Sequence, residues 1–405
     1  MLRQGRAAGI FSIEQSKKAF RKGNVNQREI VGNKMSWSLI MKNISIFLFS
    51  AILIAASSTA GADLLRYGTY LTSSHNITVD ALKPYFKNVE KASDGALRFQ
   101  MFTDGTVVSG SSTVKGIQSG IVDMGTIIPT YTPSTTPVEA TLTRLPISAT
   151  NALADSGAIN ELVLMNCDDC ELEWKKLGMK MLAEYASSPY YLLCKDDIPG
   201  SGLLKGKRVR ATGIWEDWAA SMGAVPVNVT AGEIYSGLNQ GTVNCTTSPL
   251  PYLKTFGLKD VVRYVLDMPL GTYRPAVIMN ISQKKWDSLS EAQKSAITDN
   301  LPQLVADATW SYMEIQKAVM EDSKSHGIKY VKPSKEMLDQ ELRFRSESGE
   351  KFITIARERG ISNPEKLLEK YHEILPKWEE LTKNIQSKEE YKKLLEEQIF
   401  SNVSY

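Results

Sequence analysis

Apolar positions along this chain recur with two spacings, one near two residues and one near 3.6, and each change of spacing marks an element. Residues 64–71 (LLRYGTYL) interleave leucines with aromatic and β-prone residues and predict the first core strand. Residues 78–92 follow as a helix, with Ala81, Leu82, Tyr85, Phe86 and Val89 on one face. Asp94-Gly95 makes a turn into a strand over 97–102, and the alternation repeats as a helix over 112–119 and a strand over 124–128. A helix over 149–177 and a strand over 179–185 close the series. Strands alternating with helices imply a largely parallel sheet covered on both faces.

After Ser187-Ser188-Pro189 the strand 190–194 reads as a crossing into a second lobe. There, residues 204–250 form a β-α-β-α-β unit: a cation-bearing strand and a Trp-rich helix lead to a strand over 225–229. A helix over 231–240 and a short strand over 242–245 follow. The second lobe runs to about residue 271, and a strand over 272–280 returns to the first. Two or more crossings suit two lobes that close by hinge bending. The first lobe is thus expected over 63–187 plus about 272–305, and the second over 188–271 plus part of the C-terminal helices.

From Trp286 onward the pattern is almost wholly helical. Residues 287–291 carry N-cap chemistry, and 301–325 is an amphipathic run long enough to lie across both lobes. Further helices are predicted over 334–358, 364–384 and 388–401. Their Lys and Glu residues suit a solvated face supported by i,i+4 pairs. Residues 306–405 hold the spanning and C-terminal helices, and the chain has no internal repeat.

Composition changes this picture mainly at the N-terminus. The net charge of +3 is concentrated there: residues 1–62 hold nine Lys or Arg against two acids, and without them the balance is −4. A mildly acidic remainder excludes nucleic acid as a natural partner. Met41-Lys42, the apolar run 44–56 and Ala60-Gly61-Ala62 have the three parts of a cleaved secretory signal, which places the mature protein in the periplasm. A retained anchor is the alternative. Residues 1–40 fit an extended leader or a start codon set too early, with initiation at Met35 or Met41.

Export permits disulfides, and the four cysteines allow three complete pairings. Cys167 with Cys170, and Cys194 with Cys245, is the pairing preferred. Cys167-x-x-Cys170 as half a zinc knuckle lacks a second ligand pair.

Catalytic signatures are missing. The chain has three histidines, His75, His326 and His372, and no G-x-S-x-G elbow, phosphate-binding glycine loop or H-E-x-x-H helix. No cofactor is implied. Arg210, near the carboxyl end of its strand, is the one promising group, because ligands gather where strand ends meet helix N-termini. A guanidinium there offers a permanently charged fork that matches a carboxylate bidentately. Lys205, Lys207 and Arg208 beside it leave a plain surface cation as the alternative.

LKGKRVRATG followed by MGAVPVNVTAGEIYSGLNQGTVNCTTSP resembles the solute-binding proteins of tripartite ATP-independent periplasmic (TRAP) transporters, the DctP-like family. The likeness extends upstream through LRYGTYLTSSH, SDGALRFQMFTDGTVV and GIQSGIVDMG, and downstream through VIMNISQKKWDSLSEAQKSAI, over roughly residues 64–330. It implies an α/β, bilobal periplasmic binding protein-like fold, with two mixed sheets flanked by helices and a long helix spanning both lobes.

The resemblance places Arg210 on the arginine that pairs with the ligand carboxylate. Ser248 takes the position of a supporting asparagine, Thr247 that of a glutamate and Asn244 that of an aspartate. Tyr70 falls at a polar ligand contact, and Tyr190 where some members carry a second arginine. Trp215, Trp218 and Tyr235 are divided between core and cleft, His75 between helix capping and ligand, and Arg274 and Thr272 are candidates to line the cleft from the first lobe. One cation suggests a small organic acid with a single carboxylate. The implied partners are integral membrane transporter subunits. A periplasmic sensor of the same fold, and an enzyme, are the competing functions.

Overall fold

A computed structural model of the protein describes residues 62–147, 151–198 and 203–405. The leader, anchor and start-codon expectations, and residues 149 and 150 of the predicted helix, lie outside the described residues. Among these, no helix is long and apolar enough to cross a membrane.

Among the described residues eleven strands run in chain order: β1 (Asp63–Gly68), β2 (Leu97–Phe102), β3 (Met124–Gly125), β4 (Met179–Tyr185), β5 (Tyr190–Cys194), β6 (Arg208–Arg210), β7 (Val225–Val227), β8 (Cys245–Pro249), β9 (Tyr264–Leu266), β10 (Ala276–Ser282) and β11 (Lys329–Val331). The first lobe holds the parallel set β2-β1-β3 and the antiparallel pair β10-β4, joined by a bridge between Ile127 and Val277. Tyr67 reinforces that seam, donating to Ile278 O at 2.6 Å. The second lobe is one sheet in the order β11-β9-β5-β8-β6-β7.

The parallel sheet expected from the alternation is present as β2-β1-β3, but both lobes also hold antiparallel pairs. β4 and β10 pair antiparallel, and so do β5 with β8 and with β9. The reason lies in connectivity: strands that enter or leave a lobe at the hinge need no βαβ crossover, so they are free to pair antiparallel.

Several elements depart from the periodicity. The strand expected over 242–245 begins at Cys245 and runs to Pro249, because Asn244 Oδ1 instead accepts the Arg208 amide at the strand's entry. The return strand starts at Ala276 rather than 272, and Thr272 instead makes an isolated bridge to Pro189. One predicted helix becomes two, Ala152–Met165 and Asp168–Lys176, broken where Cys167 caps the second and bonds to Cys170. Cys194 bonds to Cys245 across the β5–β8 pair, and no free cysteine is left.

The chain passes between lobes through two adjacent segments. Ser187 N donates to Tyr273 O at 3.0 Å, Tyr190 N to Gly271 O at 2.8 Å and Leu270 N to Tyr190 O at 2.8 Å. The helix Leu301–Ser325 makes a third passage. At about 1.5 Å per residue it is roughly 37 Å long. Its first half buries Leu301, Leu304, Val305 and Ala308 against the first lobe. Asp322 near its end pairs with Lys259 of the second lobe, whose sheet then takes β11.

The C-terminal helices Lys335–Glu358 and Pro364–Thr382 brace this frame. Trp378 lies flush on the helix Ala152–Met165 at Gly157, where any Cβ would come within 2.1 Å of the indole.

The first lobe's core also holds an acidic cluster. Glu139 accepts the Trp174 indole at 2.7 Å, and Glu173 accepts the Val138 and Glu139 amides at 2.7 and 3.0 Å. Glu184, on β4, interacts with Glu139 and is fully buried. Burial, with the neighbouring Glu173 adding to it, pushes Glu139 up to about 8, and burial with the Glu139 charge pushes Glu184 well up. Carboxyls raised in the folded state bind more protons there than in the unfolded chain. Stability is therefore greatest near and below the unfolded value and falls as pH rises through the folded one. The melting temperature is expected to decline between pH 6 and 9, and Glu184→Gln should flatten that decline. A variant with an undiminished slope would show that the cluster does not set it.

Candidate functional site

The site forms where β6 ends. Thr212 and Gly213 follow Arg210, and Gly213 sits at φ 59°, a conformation favouring glycine, with Thr143 Oγ1 of the first lobe 2.7 Å from where a Cβ would stand. That close approach seats the helix Ile214–Ser221 against the first lobe, and Ile214 N donates to Thr143 O at 3.1 Å.

Arg210 is 1% exposed and lies between the lobes. Its Nε donates to Val229 O at 2.9 Å, Nη1 to Thr247 O at 3.3 Å and Nη2 to the Tyr131 hydroxyl at 3.1 Å. All three acceptors are neutral. Among the described residues no carboxylate forms an ion pair with it. A guanidinium has five N–H donors, so these three bonds leave one N–H on each terminal nitrogen unused.

Tyrosine dominates the small enclosed space beside it. Tyr70, Tyr131 and Tyr185 come from the first lobe, Tyr190 and Tyr252 from the second, Tyr273 from the returning hinge segment and Tyr312 from the helix Leu301–Ser325. Thr212, Ser187, Ile128 and Ala276 complete the lining, which contains no acid and no cation. Tyr185 and Tyr312 stack with ring centroids 5.9 Å apart. Burial pushes the phenols of Tyr70, Tyr190, Tyr273 and Tyr312 well above their ordinary value, so they remain neutral donors at physiological pH.

The residues singled out from sequence separate into several groups. Arg210, Tyr70 and Tyr190 come together here. Trp215 does not line the space but lies against Tyr190, stacked on it with centroids 4.2 Å apart and anchored by its indole N–H to Leu270 O at 3.0 Å. Thr247 supports Arg210: its carbonyl accepts the guanidinium, and its hydroxyl donates to Arg210 O at 3.3 Å. Ser248 is fully buried, and its hydroxyl bonds to Thr246 at 2.8 Å.

Arg274 and Thr272 are placed elsewhere, which corrects their reading as cleft residues. Arg274 is buried in the first lobe, with Nε 3.2 Å from Asp155, Nη2 donating to Pro146 O at 2.9 Å and to the Tyr371 hydroxyl at 2.5 Å. Thr272 donates to the same aspartate. The two arginines thus differ in one respect: protein neutralises Arg274 and leaves Arg210 without a counter-charge. Trp218 donates to Glu341 at 2.5 Å within the core, and Tyr235 is 39% exposed. His75 Nδ1 accepts the Ile77 amide at 3.2 Å as the next helical turn starts, and burial lowers its pKa to about 3, so the ring is neutral.

Sequence reasoning missed Tyr131, Tyr185, Tyr252, Tyr273 and Tyr312. The signal available was weak: 16 tyrosines against 11 phenylalanines in a chain whose core has no need of hydroxyls.

A larger groove of about 480 Å³ lies on the first lobe between Val163–Met181 and Val403–Tyr405. It carries Asp168 and Glu171 as well as Lys175 and Lys180, so it lacks the single-sign character of the interlobe space. Among the described residues no cluster of side chains suits a metal ion.

Comparison with known proteins gives a consistent result. The family model described as bacterial extracellular solute-binding protein, family 7 (DctP), matches residues 67–346. The 2,3-diketo-L-gulonate-binding periplasmic protein YiaO of Escherichia coli is 22% identical over 295 residues, which is 72% of this chain and 88% of that protein. A TRAP solute-binding protein from an unidentified marine microbe, specific for aromatic acid ligands and solved with metahydroxyphenylacetate, superimposes with a TM-score of 0.70 at 19% identity, covering 78% of this chain and 99% of its own. One from Rhodoferax ferrireducens, solved with copurified benzoate, gives 0.70 at 19% identity over 79% and 100%. At such identities the structures share the fold. With the family model covering more than half of its length, the chain belongs to the DctP family of bacterial extracellular solute-binding proteins, the solute-binding proteins of TRAP transporters.

Proposed function

We propose that this protein captures a small organic acid with one carboxylate between its lobes, pairing that carboxylate with Arg210, and delivers it to the integral membrane subunits of a TRAP transporter. One observation carries the reading: Arg210 is a buried cation without a counter-charge, beside an enclosed space free of acids. Leaving one partner of a buried ion pair alone costs about 3–5 kcal/mol, and a ligand carboxylate on the two remaining N–H groups removes most of that cost. Discrimination follows from the lining. A second carboxylate would find no second cation, and an ammonium would find no acid. Neutral phenols and stacked rings suit an apolar, aromatic or hydroxylated body, in keeping with the aromatic acids bound by the marine and Rhodoferax relatives.

Tyr70, Tyr190 and Thr247 are assigned to the ligand site with Arg210. Trp215 backs Tyr190, and Ser248 supports the β8 side of the site through Thr246. The lobes divide near residues 187–190 and 270–273, where the paired crossings act as the hinge. Export to the periplasm, with the leader cleaved near Ala62, agrees with the family's extracellular character and with the disulfide bonding of all four cysteines.

Two outcomes are expected. Arg210→Met should leave the ligand-free melting temperature unchanged or higher, because a buried unpaired charge is gone, while the protein no longer copurifies with an acid in native mass spectrometry. Retained ligand in that variant would refute the Arg210 assignment. In a thermal-shift panel, benzoate, mandelate and other monocarboxylates at about a hundred times their Kd should add about 2.7 kcal/mol of stability, a rise of several degrees. Succinate and malate should give no shift; the reverse order would refute the single-carboxylate reading.

A further inference from the structure

The two disulfides stand in unlike surroundings. Cys194 and Cys245, 51 apart in sequence, are fully buried and paired across β5 and β8, with β9 on the far side of β5 and β6 on the far side of β8. A thiol could reach that bond only by parting strands. Cys167 and Cys170, three apart, sit at the start of the helix Asp168–Lys176. Closing so short a loop restrains the unfolded chain far less than closing the long one, so less of the fold's stability depends on it. Cys170 is fully buried, whereas Cys167 keeps 7% of its surface and lines the groove of about 480 Å³ on the first lobe. Its sulfur is the N-cap of the helix and accepts the Cys170 amide at 3.2 Å. An amide at a helix N-terminus favours negative charge on that sulfur. Asp168 and Glu171 on the groove wall oppose such a charge, and Lys175 and Lys180 favour it. The helix is also anchored without the disulfide: Trp174 donates to Glu139 at 2.7 Å, and Asp169 accepts the Ser362 amide and hydroxyl, each at 2.8 Å. The bond can therefore open with the fold in place.

We propose that Cys167–Cys170 is a thiol–disulfide exchange site, at which an external dithiol reaches Cys167 through the groove, while Cys194–Cys245 is a structural bond. One thiolate of the dithiol attacks Cys167 Sγ. A mixed disulfide forms, the Cys167–Cys170 bond breaks, and Cys170 leaves with the electron pair and takes up a proton. The second thiolate of the dithiol then attacks its own partner sulfur in the mixed disulfide and releases Cys167, which is protonated in turn. The dithiol is oxidised by two electrons to a disulfide, the Cys167–Cys170 bond is reduced by two to a pair of thiols, and the dithiol's two protons balance those taken up. In the reverse direction Cys167 is the nucleophile and Cys170 the resolving thiol. The interlobe space takes no part, so this site stands or falls independently of Arg210.

The test uses the oxidised wild-type protein under native conditions. It is incubated with dithiothreitol, and samples taken over time are quenched with acid, unfolded, alkylated with N-ethylmaleimide and read by peptide mass spectrometry. Cys167 and Cys170 are expected to become reactive at least about tenfold faster than Cys194 and Cys245, with the far-UV circular dichroism unchanged. Equal rates, earlier opening of Cys194–Cys245, or opening of Cys167–Cys170 only as the circular dichroism is lost would each overturn the proposal. Two variants then identify the attacked sulfur. Cys170→Ser leaves Cys167 as a free thiol, which should form a mixed disulfide with oxidised glutathione; in Cys167→Ser the buried Cys170 should do so at least about tenfold more slowly. Comparable adduct formation in the two would overturn the assignment of Cys167 as the exchanging sulfur.

Discussion

A guanidinium taken out of water without an anion beside it is the constraint around which this protein is arranged. Arg210 is held by Val229 O, Thr247 O and the Tyr131 hydroxyl, three oxygens that orient the charge without cancelling it. Arg274 shows what the fold does when a buried arginine serves structure alone: Asp155 stands against it, itself fixed by Thr272 and Tyr371. The contrast within one molecule separates an arginine completed by the protein from one that a ligand would complete.

The frame supplies what that charge needs. Antiparallel pairing lets the chain cross between sheets through two segments that lie side by side, near residues 187–190 and 270–273, and the helix Leu301–Ser325 runs along a third line while placing Tyr312 in the space between them. Tyrosine suits such a lining physically. Each ring covers apolar surface and excludes water, and each phenol stays neutral yet able to donate, so the field of Arg210 is not opposed. The stack of Tyr190 on Trp215, with Tyr273 alongside, gives one wall the stiffness of packed rings.

Much of the fold was legible because hydrophobic period and local chemistry agree. β2, β4, β5 and the helix Leu301–Ser325 begin and end where the spacing predicts, and the capping box at Ser290 and Gln293 stands where N-cap chemistry was read. Elements decided by tertiary contacts were not legible. β11 is three residues whose strand character comes from pairing with β9, and the β8 boundary moved because Asn244 prefers the Arg208 amide. At the site, Arg210 stood out by its charge and by family resemblance. The tyrosines did not, because a phenol in a core and a phenol in a cavity have the same local signature. Arg274 was misread for the complementary reason: its partner Asp155 lies 119 residues away in the chain, and nothing nearby reveals the pairing.

The central claim is that an acid's carboxylate completes Arg210. The most direct measurement is a crystal structure of the full protein with the ligand it copurifies with. The account predicts one carboxylate end-on against Nη1 and Nη2 of Arg210, enclosed by the tyrosines, with both lobes closed over it. A ligand seated elsewhere, or one whose bound groups leave that guanidinium without an anion, would contradict it.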